Sequence, residues 1–221
     1  MKIDVVRKSL LTDNEQAAMM NRALLKEAGV VAINLLGGAG CGKTTLLESI
    51  IPGLSRDLSV AVLEGDIATT RDAERIAALD VPVVQLLTDG ACHLTATLVY
   101  HGLNRLELDG LALLFIENVG NPICPANFDL GEHGRLAVLS VTEGDDKPYK
   151  YPYLFKTADR AVITKLDLLP HCLFDMERAV AGIRALSPEK PIDRVRHDDP
   201  TSLEPLLGWL RDKVRATVSA A

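Results

Sequence analysis

An α/β fold, a mostly parallel twisted sheet of about seven strands with helices on both faces, is predicted by three observations. Short apolar runs alternate with helix-capable segments along most of the chain, as strands buried on both faces do. The first run, Val30 to Leu36, leads straight into the glycine-rich stretch Gly37-Gly38-Ala39-Gly40-Cys41-Gly42-Lys43-Thr44-Thr45, and a helix-capable segment from Thr44 to Leu54 follows. Polar residues recur just after the runs, where a parallel sheet gathers its ligand beyond the carboxyl ends of its strands.

Composition narrows the function classes. A chain of 221 residues, 48% hydrophobic and 24% charged, suits one domain over residues 1–221, with 1–29 as a lead-in helix. The net charge of −6 gives a nucleic-acid partner no electrostatic support. The opening residues lack the apolar centre of a signal peptide, and the longest apolar runs are broken at Asn34 or Glu117, which points to a cytoplasmic protein. Four cysteines, Cys41, Cys92, Cys124 and Cys172, are too few for a disulfide scaffold and suggest packing or metal chemistry.

In order along the chain, Thr12 to Glu15 reads as a capping box for a helix reaching Ala28 and stopping at Gly29, with Ala17, Met20 and Leu24 on its buried face. Strand-like runs then recur at Ser59 to Leu63, Val83 to Leu87, Leu111 to Ile116, Leu136 to Val141, Arg160 to Thr164 and Ile192 to Val195. This places Gly37 to Thr44, Asp66, Thr88 to His93, Glu117 to Cys124, Thr142 to Lys147 and Thr164 to Asp167 at one rim of the sheet. A second capping box, Thr201 to Glu204, announces the last helix, which carries the only tryptophan, Trp209.

Gly37, Gly42, Lys43 and Thr44 fit G-x-x-x-x-G-K-[ST]. Glycines let the backbone turn its N–H groups inward onto phosphate oxygens, and the following helix adds its positive end. Lys43 then reaches the β- and γ-phosphates, and the Thr44 hydroxyl sits on Mg²⁺, so the fold is that of a P-loop NTPase. Asp66 either reaches the magnesium, directly or through water, or caps the helical segment Arg71 to Ala78. Glu117 and Gly120 stand where P-loop hydrolases keep an acid near the magnesium and a glycine whose N–H meets the γ-phosphate. Thr164-Lys165-Leu166-Asp167 resembles the [NT]-K-x-D base-recognition element of P-loop GTPases, in which the aspartate accepts two hydrogen bonds from guanine.

Taken together, GDIATTRDAERI from Gly65, GACHL from Gly90, ENVGNPICPANFDLGE from Glu117 and VTEGDDKPYKYP from Val141 closely resemble the nickel-incorporation GTPase family of nickel–iron hydrogenase maturation. The resemblance covers roughly Val30 to Pro170. It implies a SIMIBI-class GTPase that dimerises with GTP, carries Ni²⁺ or Zn²⁺, and works with the hydrogenase large subunit and other maturation factors. It further implies a metal site on Cys92 and His93, with Cys124 also involved. From the residues alone, thiolate and imidazole suit zinc or nickel, two such ligands per chain fall short of a closed tetrahedral site, and a two-fold dimer supplies four. A buried thiol beside a surface imidazole is the plainer reading of a lone Cys-His pair.

Cys41 and Cys172 are expected to be structural. His101, His133, His171 and His197 are read as surface or packed groups, His133 drawing attention through its nearness to Cys124 in the chain. Two features depart from the family: no cysteine precedes Cys41, so the amino-terminal nickel store of many members is not expected, and Thr164 with Val195-Arg196-His197 replaces the usual base-bracing residues. Lys147 and Lys150 either reach nucleotide across a dimer or are simply solvated. The expected activity is Mg²⁺-dependent GTP hydrolysis to GDP and phosphate, with Lys43, Thr44, Asp66 and Glu117 at the reacting end. Rival readings are a metallochaperone of urease type, a small-molecule kinase, and a metal carrier with a vestigial loop. The kinase lacks recognisable clamping arginines, and the vestigial carrier does not need Lys43, Thr44, Glu117 and Asp167 together.

Overall fold

A computed structural model describes residues 10–218. Seven strands form one sheet in the order β3-β2-β4-β1-β5-β6-β7. They are β1 Val31–Gly37, β2 Val60–Asp66, β3 Val83–Leu87, β4 Leu113–Glu117, β5 Gly134–Ser140, β6 Arg160–Thr164 and β7 Ile192–Arg194, and every pairing is parallel. All seven sequence-predicted strands are present, with ends displaced by at most a few residues.

Period-two alternation splits β1 between two cores. Val31, Ile33 and Leu35 pack with α2 (Lys43–Leu54) and α8 (Glu204–Val218), whereas Ala32 faces α1 (Leu10–Ala28) and α4 (Ala96–Leu103). A third cluster joins Leu36, Ala137 and Leu139 to α6 (Pro152–Thr157) and α7 (Met176–Leu186). The short helices α3 (Arg71–Ala77) and α5 (Lys147–Lys150) lie near the carboxyl ends of β2 and β5. Among the described residues, no helix is long and apolar enough to cross a membrane.

Three local expectations are corrected. Helix α1 already includes Leu10, so Thr12 does not cap it, and its buried side is Asn14, Ala18, Asn21 and Leu25, with Met20 54% exposed. Buried asparagines decide this face: Asn21 donates to the carbonyls of Ala96 and Leu130 at 2.8 and 2.9 Å, and Asn14 spans Asp129 and Ala96. A hydrogen-bonded amide is as tolerable inside as a leucine, and it fixes the helix in register. At the other end, Asp199 and not Thr201 starts the turn: its carboxylate accepts from the Thr201 N–H at 3.0 Å, opening a 3-10 turn before α8.

Candidate functional site

The carboxyl ends of β1, β2 and β4 enclose a cavity of about 410 Å³ lined by Ala39, Gly40, Gly42, Lys43, Thr44, Thr45, Glu64, Asp66, Asp72, Arg75, Glu117 and Gly120, among others. Gly42 has φ 93°, a left-handed conformation that turns the chain into α2 and that a side chain would strain. Lys43 is buried and its Nζ lies 3.5 Å from the Gly38 carbonyl, leaving a cation inside the loop it belongs to. Thr44 Oγ1 donates to Glu117 Oε1 at 2.7 Å, so its lone pairs face away from the carboxylate. Asp66 does not cap α3, whose N-cap is Thr70. Its carboxylate instead accepts from the Ile67 and Thr69 N–H groups and the Thr69 hydroxyl, and these bonds outweigh partial desolvation and hold it below the usual carboxylate range.

Glu64, which sequence reasoning passed over, stands beside Glu117 in register across β2 and β4. It is 2% exposed, and one carboxylate oxygen of each residue is buried without a partner. Burial, with the charges of Glu117, Asp66 and Asp72, pushes Glu64 up to about 8 against the pull of Lys43. Burial also lifts Glu117 to about 7, opposed by Lys43 and the Thr44 hydrogen bond. Two desolvated carboxylates beside a threonine hydroxyl whose lone pairs stay open are the donor set that Mg²⁺ takes through one or two carboxylates and several waters. The residues therefore fit that ion.

With folded-state values raised above the ordinary 4.5, Glu64 and Glu117 cost the nucleotide-free protein stability progressively as pH rises from about 4.5 to about 7 and 8, where the loss is complete. Glu64→Gln is expected to match wild type near pH 5 and to exceed it at pH 8.5 by about 2 kcal/mol in urea unfolding. Parallel pH profiles for the two proteins would show that Glu64 is not the desolvated acid.

A second cavity, about 200 Å³, adjoins the first through Gly42, Thr45 and Lys165 and is lined by Leu46, Ser49, Asp167, Leu168, Val195 and His197. Asp167 lines it, with Oδ1 buried and without a hydrogen-bond partner. The Thr164 hydroxyl donates to the Cys41 carbonyl at 2.6 Å, and Lys165 Nζ donates to the Gly40 carbonyl at 2.6 Å, so this element is laced to the phosphate loop. Threonine at 164 thus keeps a tie to the loop. Cys41 is fully buried, with burial pushing its thiol up to about 11, as expected of a structural cysteine. His197, read from sequence as a surface group, is at the mouth of this cavity.

Cys92, His93 and Cys124 come together, their ligand atoms all within 4.8 Å of one another. Burial lowers His93, favouring the neutral imidazole that metals bind, and the ring stacks on Phe128 with centroids 3.9 Å apart. The neighbouring Cys92 thiol, with some desolvation, raises Cys124. His133, by contrast, is at the opposite end of the sheet, where Nδ1 accepts from the Ala32 N–H at 3.1 Å. Lys147 and Lys150 both pair with Asp146. Sequence reasoning also missed Arg75, which reaches Glu48, Asp72 and Thr45 at the cavity wall.

A phosphate loop at the switch point of a parallel sheet, followed by an acid, a glycine and a base-sized cavity, defines a P-loop nucleotide-binding protein. The CobW/HypB/UreG nucleotide-binding domain model matches residues 31–194. Hydrogenase maturation factor HypB of Azotobacter vinelandii is 44% identical over 220 residues, covering 97% of this chain and 72% of that protein. The crystal structure of HypB from Helicobacter pylori in complex with nickel superposes with a TM-score of 0.88 at 35% identity, covering 92% of this chain and 96% of that one. HypB from Archaeoglobus fulgidus superposes with a TM-score of 0.86 at 36% identity, covering 92% and 100%. The chain belongs to the CobW/HypB/UreG family and, within it, to the hydrogenase maturation factors HypB.

Proposed function

We propose that this chain is a GTP-hydrolysing metallochaperone that binds nickel or zinc and assists nickel insertion during nickel–iron hydrogenase maturation. The observation that carries this reading is the thiol–imidazole group of Cys92, His93 and Cys124, joined by one short loop to a glycine that lines the phosphate cavity. The whole described chain acts as one nucleotide-binding domain behind its lead-in helix α1, in a cytoplasm reducing enough to keep the thiols free.

The backbone N–H groups of Gly38, Ala39, Gly40, Cys41, Gly42 and Thr45 cradle the phosphates, and Lys43 leaves the Gly38 carbonyl for the β- and γ-oxygens. Thr44, Asp66 and Glu117 would hold Mg²⁺, with Glu64 beside them; when bound, the ion supplies charge neutralisation across the phosphates. Gly120 offers its N–H to the γ-phosphate. Hydrolysis takes water and GTP to GDP and phosphate, and its use is to change affinity for metal and partner. GTP joins two copies into a homodimer that pools Cys92 and His93 from each, which completes a four-ligand site. The hydrogenase large subunit and other maturation factors receive the cargo.

Phosphate release measured with GTP and with ATP tests the hydrolase: release from GTP alone is expected, equal release from ATP would remove the preference for guanine, and no release from either would remove the hydrolase. Metal binding has its own check. Cys92→Ala is expected to weaken Zn²⁺ and Ni²⁺ about 100-fold or more, and binding should weaken at acid pH because thiolates must form. Unchanged metal affinity in Cys92→Ala would remove the site.

A further inference from the structure

We infer that Asn121 is the positioning residue through which occupancy of the phosphate cavity sets the arrangement of Cys92, His93 and Cys124. This rests on the nucleotide and metal roles proposed above and supplies the residue that joins them.

The loop after β4 starts at the phosphate site. A Cβ on Gly120 would lie 2.8 Å from Ala39 Cα, so the two backbones already touch, and Asn121 forms an antiparallel bridge to Gly37. Anything that draws the phosphate loop or Gly120 inward moves Asn121 with it. The Asn121 side chain then reaches both segments that carry the metal group. Its Nδ2 donates to the Cys92 carbonyl at 3.4 Å, and its Oδ1 accepts from the Ile123 N–H at 2.9 Å. Ile123 immediately precedes Cys124, so one amide holds both ligand-bearing segments.

A second asparagine secures the far side of the Cys-His pair. Asn118 Oδ1 accepts from the Leu94 N–H at 3.2 Å, while its Nδ2 reaches Asn34 Oδ1 on β1 at 3.3 Å. Cys92 and His93 do not ride on α4, which starts at Ala96 behind its Thr95 cap. They are clamped to the loop at the 92 carbonyl and the 94 amide. Both segments hang on one loop, and Asn121 is the part of the clamp that also touches the phosphate loop. Asn118 is buried and serves the fold as well, whereas Asn121 is half-buried and can be replaced with less damage.

The experiment is a chelator-competition titration of Zn²⁺ and Ni²⁺ into the GDP form and the form holding a non-hydrolysable GTP analogue. Wild type, Asn121→Ala, the volume-matched Asn121→Leu and the control Asn127→Ala are compared. Asn127 donates to the Ile123 carbonyl in the same loop. Wild type and Asn127→Ala are expected to differ about fivefold or more between nucleotide states, and the Asn121 variants by less than about twofold, with GTP affinity kept. Full coupling in either Asn121 variant, or loss of coupling in Asn127→Ala, overturns the assignment to Asn121 and leaves the metallochaperone reading standing. Identical affinities in the two nucleotide states of wild type overturn both. Hydrogen exchange on the wild-type chain gives an answer that needs no variant: amides 92–94 and 119–123 are expected to change protection together on analogue binding, and independent changes count against the clamp.

Discussion

Lys43→Ala yields a folded protein that has lost GTP hydrolysis. Lys43 is 7% exposed and its ammonium has one long bond, 3.5 Å, to the Gly38 carbonyl, so its removal breaks no core packing and leaves far-UV circular dichroism unchanged. What it removes is a buried cation aimed at the oxygens where charge gathers as the γ-phosphoryl departs. A prepositioned group of this kind is worth about 3–4 kcal/mol in the transition state, or a rate loss of about 100- to 1,000-fold. The same cation restrains Glu64 and Glu117, both of which Lys43 pulls down, so its loss leaves the two acids still more reluctant to ionise and weakens the magnesium site as well. Single-turnover phosphate release checks the first effect and nucleotide titration the second. Retained turnover would mean that the phosphates bind elsewhere.

The strands and the phosphate loop were legible because buried parallel strands read as apolar runs and because the loop needs glycine for reasons of backbone shape. Other features depend on which strands are neighbours, and no local period carries that information. Glu64 lies just past the apolar run of β2 and looks like the start of a polar loop; its meaning appears only when β2 pairs with β4 and sets it beside Glu117. The asparagines were missed for a related reason. Asn14, Asn21, Asn118 and Asn121 each satisfy backbone groups distant in sequence, so a reading that equates burial with apolar residues places α1 one position off and overlooks the clamp on Cys92. The metal group itself was reached through family resemblance, since Cys92-His93 and Cys124 are separated by β4 and by no pattern that spacing alone reveals.

Asp167→Asn is expected to separate recognition of the base from recognition of the phosphates. Asp167 lines the wild-type cavity together with Leu168, Val195 and His197, its Oδ1 is buried without a hydrogen-bond partner, and Lys165 donates to the Gly40 carbonyl. A carboxylate there offers acceptors to two donors on one edge, which guanine supplies from N1 and N2 and adenine does not. An asparagine keeps the shape but turns one acceptor into a donor facing a donor, so GTP affinity should fall by about 2–4 kcal/mol, about 30- to 1,000-fold. The phosphate loop is untouched, so binding weakens without vanishing. Xanthosine triphosphate, with an acceptor at the position of the guanine amino group, should bind the variant better than wild type. Titration with the two nucleotides decides the matter: equal GTP affinity for wild type and variant would remove Asp167 from the base site, and loss of both nucleotides alike would indicate damage to the cavity in place of a change in its specificity.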